Sequence, residues 1–93
     1  PAGIEEMLAR DGFSIYPNPA QDLLYLEVEK FEDLHIQEAN IYSAFGQRIQ
    51  AVDLSRLSSA ITTIDISSLN SGMYFLIIKD QDGTITHKFN VVK

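Results

Sequence analysis

Met73-Tyr74-Phe75-Leu76-Ile77-Ile78-Lys79-Asp80-Gln81-Asp82-Gly83-Thr84-Ile85-Thr86-His87-Lys88-Phe89-Asn90-Val91-Val92 decides the fold. Two runs rich in β-branched and aromatic residues flank an Asp-Gly pair, the strongest short-range hairpin signal a sequence offers. The second run alternates, with Ile85, His87, Phe89 and Val91 on one face. The first, Met73 to Lys79, is apolar on both faces, as in a central strand covered from both sides or one near a junction.

The same language runs upstream. Leu23 to Glu29 alternates, with Leu24, Leu26 and Val28 opposite Tyr25, Glu27 and Glu29. Ile36 to Tyr42 and Gln47 to Val52 read as strands around Ser43-Ala44-Phe45-Gly46, where Gly46 supplies the positive φ of a tight turn or bulge. Ile61 to Ile66 is another strand, and Leu69, the sole large apolar residue of the turn 67–72, plugs the end of the core. Phe13 to Tyr16 is a short strand stopped by Pro17-Asn18-Pro19; two prolines withhold two amide donors, which places it at a sheet edge. Residues 30–34 and 53–60 read as connections.

These elements predict an all-β, Ig-like antiparallel β-sandwich of about seven strands, with turn signals every ~8 to 12 residues and no crossover helix. Period-two alternation predicts a core of Leu24, Leu26, Val28, Ile41, Ile64, Ile66, Leu69, Phe75, Ile77, Phe89 and Val91. Residues 1–12, with Ile4, Met7 and Leu8 at helical spacing and Gly12 as a stop, are expected to be a linker remnant ahead of one domain over 13–93. The chain begins with Pro1, so it is read as a fragment of a longer protein.

At 93 residues there is room for one core. Thirteen acids against seven bases give a net charge of -6, which repels phosphate backbones and argues against nucleic acid as a partner. The charge is uneven: residues 1–38 hold nine acids and two bases, residues 39–93 four acids and five bases. No cysteine is present, which removes disulfides, thiolate metal sites and cysteine nucleophiles without fixing the compartment. No apolar run approaches the ~18 to 20 residues that span a bilayer, and the N-terminal residues do not read as a signal peptide.

Catalysis finds little support. His35, beside Asp33, and His87 are the only near-neutral titrating side chains; His35 is read as a surface residue and His87 as a half-exposed strand residue, not a ligand or base. Asp80-x-Asp82-Gly83 is read as a turn, since the remaining oxygen ligands of a calcium loop are missing. Glu27, Glu29, Glu32 and Asp33 are read as solvated charges. No Gly-x-Ser-x-Gly elbow occurs. Tyr16, Tyr25, Tyr42 and Tyr74 are read as packing at the core edge before a sugar-binding face. The expectation is a non-enzyme with no cofactor and no metal.

Five pieces in fixed order say more: Ile15-Tyr16-Pro17-Asn18-Pro19-Ala20; Leu24-Tyr25-Leu26-Glu27-Val28; Ile41-Tyr42-Ser43-Ala44-Phe45-Gly46-Gln47-Arg48-Ile49; Ile64-Asp65-Ile66-Ser67-Ser68-Leu69-Asn70-Ser71-Gly72-Met73-Tyr74-Phe75-Leu76-Ile77; and Lys88-Phe89-Asn90-Val91-Val92-Lys93. Over residues 13–93 the chain resembles the type A C-terminal sorting domain of the type IX secretion system of Bacteroidetes. Position 73 carries Met where that family more often has a β-branched residue.

The resemblance implies a non-catalytic address that follows an upstream cargo protein. It crosses the inner membrane with the cargo, passes through the periplasm and is read by the outer-membrane translocon. A sortase-like peptidase then removes it and can attach the cargo to the cell surface, or the cargo is secreted. Translocon-recognition candidates are Lys88, Val91, Val92 and Lys93. Pro17, Asn18, Pro19, Gly46, Leu69, Gly72 and Tyr74 are the motif residues expected to define the fold. A chain ending inside a strand is expected to leave its last backbone groups and Lys93 accessible, so replacing Lys88 and Lys93 by Ala is expected to change stability by no more than about 0.5 kcal/mol. The alternative function is an Ig-like accessory module binding carbohydrate or protein beside a catalytic domain, which an exposed coplanar aromatic platform would favour.

Overall fold

A computed structural model describes residues 13–28, 36–53, 61–81 and 83–93. The readings made for residues 1–12, for Glu29, Glu32, Asp33 and His35, for most of the 53–60 connection and for Asp82 lie outside the described residues. Seven strands form: β1 (Phe13–Tyr16), β2 (Leu23–Val28), β3 (Ile36–Ser43), β4 (Arg48–Ala51), β5 (Ile61–Asp65), β6 (Gly72–Asp80) and β7 (Gly83–Val91). They make two antiparallel sheets, β1-β2-β5 and β4-β3-β6-β7, the expected sandwich. Strand β1 is indeed an edge, and β6 is central in its sheet.

Alternation sorts the strands into inner and outer faces. Phe13, Leu24, Leu26, Val28 and Ile64 from the smaller sheet meet Ala39, Ile41, Leu76, Ile78, Phe89 and Val91 from the larger, all buried. Ile66 and Leu69 close one end of this core, with the Leu69 amide bonded to the Ile66 carbonyl at 3.0 Å. Nine of the expected core residues are therefore inside: Leu24, Leu26, Val28, Ile41, Ile64, Ile66, Leu69, Phe89 and Val91.

Phe75 and Ile77 are a correction, being only half-buried on the outer face of the larger sheet. The register decides it. Leu76 stands opposite Ile41 and His87, and Ile78 opposite Ala39 and Ile85, so the even residues of β6 share the core face. Phe75 lies between Tyr42 and Lys88, and Ile77 between Asn40 and Thr86. His87 is a second correction: it shares a face with Ile85, Phe89 and Val91 as expected, but that face is the core, and the residue is 2% exposed.

The turns are built from the residues that the sequence marked. Asp80 pairs with Gly83 across a two-residue loop, and the Asp80 carboxylate accepts the Gly83 amide at 2.9 Å, consistent with a turn. In the β3–β4 turn Gly46 has φ +85°, and its amide donates to the Ser43 carbonyl at 3.0 Å. The Ser43 hydroxyl accepts the amides of Phe45 (3.2 Å) and Gln47 (3.3 Å), fixing the tip from inside.

Candidate functional site

Two segments about seventy residues apart meet at one corner of the sandwich. After Tyr16 the chain cannot continue the β1 ladder, because Pro17 and Pro19 lack amide donors. Both X-Pro bonds are cis, and the segment crosses to the edge of the other sheet. There Ala20, fully buried, forms a parallel bridge with Val91. Its amide donates to the Asn90 carbonyl at 2.8 Å, and its carbonyl accepts the Val92 amide at 2.9 Å. The Asn18 side-chain carbonyl accepts the Asn90 amide at 3.0 Å, covering an edge donor that the prolines leave open.

Lys93 completes the corner. Its amide donates to the Ser71 hydroxyl at 2.9 Å. Its ammonium donates to the carbonyls of Gln21 and Ile66 and pairs with Asp22 at 3.0 Å, the side chain being 30% exposed. The expectation of a loose end is corrected here: the amides of residues 90, 92 and 93 are all bonded. A shallow groove beside this clamp is lined by Pro17, Pro19, Leu23, Tyr25 and Val92, with Gln21 and Asp22 contributing polar groups. Leu23 and Val92 are 42% and 51% exposed, large values for apolar side chains beside a hydrogen-bonded clamp.

The apolar surface continues onto the outer face of the smaller sheet. Tyr16 and Tyr25 are cross-strand partners with ring centroids 5.6 Å apart and planes tilted by 30°. The Tyr16 hydroxyl donates to Glu27 at 3.0 Å, and that carboxylate holds the phenol above its ordinary pKa. Tyr42 lies on the outer face of the other sheet, and Tyr74 packs half-buried on Phe89 with its hydroxyl donating to the Asn70 carbonyl at 2.8 Å. The four tyrosines thus occupy three different places, not one coplanar platform.

Of the recognition candidates, Val92 is exposed in the groove, Lys93 is its clamp, and Val91 is 1% exposed with its side chain in the core. Lys88 stands apart, exposed on the outer face of the larger sheet opposite Phe75. Of the motif residues, Pro17, Asn18 and Pro19 belong to the corner. Gly72 opens β6 opposite Val91, Leu69 and Tyr74 close the core beneath it, and Gly46 is across the sheet in the β3–β4 turn. Ala20, Gln21, Asp22 and Ser71 were not singled out as site residues, and no local pattern marks them, since their partners are in Asn90 to Lys93.

Among the described residues no group of three or more His, Asp or Glu is placed to hold a metal ion, and no helix is long and apolar enough to cross a membrane. The Asp65 carboxyl lies below the usual carboxylate range, first because the Ser67 amide donates to it at 2.9 Å, then because of the Ser67 hydroxyl and the nearby Lys93 charge. A depressed folded-state pKa gives a contribution present above the unfolded value, about 3.9, and lost as pH falls through the folded one. An NMR titration should therefore place the Asp65 midpoint below that of an ordinary carboxylate, and a midpoint in the ordinary range would refute the assignment; Ser67→Ala, which keeps the amide and removes only the hydroxyl, should move it upward in part.

The family model for the secretion system C-terminal sorting domain matches residues 14–92. No curated protein and no solved structure matches the chain. The matched span takes in nearly every described residue, from β1 through the corner, and the chain belongs to the family of type IX secretion system C-terminal sorting domains.

Proposed function

We propose that the corner joining residues 17–22 to 90–93 is the surface by which the outer-membrane translocon reads this domain. The observation that carries the reading is the convergence of Pro17, Pro19 and Val92 on one exposed apolar groove, locked by Asn18 and Lys93. An exposed apolar patch with polar surroundings is what a protein partner buries. Membership of the family implies interaction with the type IX machinery, an upstream cargo and export to the cell surface or the medium. Passage through the periplasm, removal by a sortase-like peptidase and attachment of the cargo at the surface complete the proposed route. Within it the domain acts as a non-catalytic address, as the family does in general.

The test is a periplasm-directed reporter fused ahead of Pro1 in a Bacteroidetes host with a type IX system. Leu23→Asp and Val92→Asp change exposed side chains, so circular dichroism and urea midpoints should stay close to those of the parent. The reporter should leave the cell with the parent domain and accumulate in the periplasm with either variant. Export of both variants at the parent rate would reject the corner as the reading surface.

A further inference from the structure

Phe45 is 99% exposed at the tip of the β3–β4 turn. The fold does not explain it. Position 45 gives the turn only its amide, bonded to the Ser43 hydroxyl, and any residue but proline supplies that. The turn itself is set by Ser43 and by Gly46 at φ +85°. A polar residue at 45 would satisfy the same geometry without presenting a phenyl ring to water.

The register places this tip relative to the groove. Ser43 stands opposite Tyr74, and Tyr74 opposite Phe89. One step beyond Tyr74 on β6 is Met73, opposite Asn90, and then Gly72, opposite Val91. The tip residues 44–46 therefore project from the same end of the sandwich as Val92 and Lys93. Two strand spacings, roughly 10 Å, separate β3 from β7 in the sheet direction. A partner that approaches this end meets both features at once.

We propose that Phe45 is a second anchor of the contact made by the 17–22/90–93 corner, inserting its ring into an apolar pocket of the same receptor. This rests on the reading of the corner given above. The pocket has a carboxylate at its rim: residues 39–52 contain no acid and one base, Arg48, exposed beside the tip, in a chain of net charge -6. That local reversal of sign complements an acidic rim. A lipid surface fits less well, because one aromatic ring gives marginal membrane affinity and the net charge opposes anionic headgroups. An aromatic side chain held clear of its own fold offers a large apolar area to bury and only two side-chain torsions to order on binding, which suits it to act as a hot spot.

The same reporter tests it with Phe45→Ser, Phe45→Leu and Arg48→Glu. Phe45 makes no packing contribution to lose, so Phe45→Ser should retain the parent's urea midpoint. Export should fall roughly tenfold or more with Phe45→Ser, in line with loss of a hot-spot side chain, recover largely with Phe45→Leu, and fall with Arg48→Glu. Parent-rate export of Phe45→Ser, with Leu23→Asp still blocked, would overturn the second anchor and leave the corner standing. Failure of the parent domain to export the reporter would overturn the reading on which both rest. Sedimentation of the isolated chain with anionic phosphatidylglycerol vesicles, lost in Phe45→Ser, would make the occupant a membrane and also overturn the proposal.

Discussion

Replacing Phe89 by Ala is expected to destabilise the domain by about 3 to 5 kcal/mol, read as a fall in the urea midpoint. The ring is fully buried, and its centroid lies 5.8 Å from that of Tyr74 in a stacked arrangement. Its removal leaves a cavity between the sheets and strips Tyr74 of its neighbour. Against a typical domain stability of about 5 to 15 kcal/mol, a loss of this size takes the fold close to its threshold. The same change at Phe45, whose ring touches water on nearly all sides, should fall within about 0.5 kcal/mol. Equal effects at the two positions would contradict the packing described here.

Lys93→Ala is expected to cost about 1 to 3 kcal/mol, since charge-assisted bonds to two carbonyls and a carboxylate are lost together. Lys88→Ala, on an open sheet face, should stay within about 0.5 kcal/mol. The two lysines are thus unequal, contrary to the reading of both as exposed surface charges. Any export defect of Lys93→Ala needs a stability measurement beside it. Val92 and Leu23 are cleaner probes of recognition for that reason. Urea curves that coincide for the two variants would show that the Lys93 contacts do not hold the corner.

The strands were legible because each has one polar and one apolar parity or a strong turn at its end. Strand β6 is apolar at both parities, and its turn decides which parity faces the core. A two-residue loop between Asp80 and Gly83 makes the numbers of paired residues sum to 163, so an odd-numbered core face on β7 demands an even-numbered one on β6. Taking Phe89, Val91, Phe75 and Ile77 all as core violates that sum. His87 shares its parity with Ile85 and Phe89, and that parity carries it into the core although an imidazole more often stands half-exposed. The corner was legible only as two motifs; nothing in either states that Asn18 meets Asn90 or that Lys93 reaches Gln21, because pairing between distant segments leaves no period in the sequence.

The bonds from Asn18 to Asn90 and from Gln21 to Lys93 each close a separation of 72 residues. Topologies dominated by such distant pairings fold in milliseconds to seconds, more slowly than those built on local contacts. The groove beside Val92 consequently has no precursor in any local hairpin: β6 and β7 can pair, and β1 and β2 can pair, with the groove still missing. It comes into being only when the two halves of the chain dock. On the proposed reading of the corner, a receptor for this surface would meet it only on chains whose two halves have docked, and would pass over those whose folding has stalled partway.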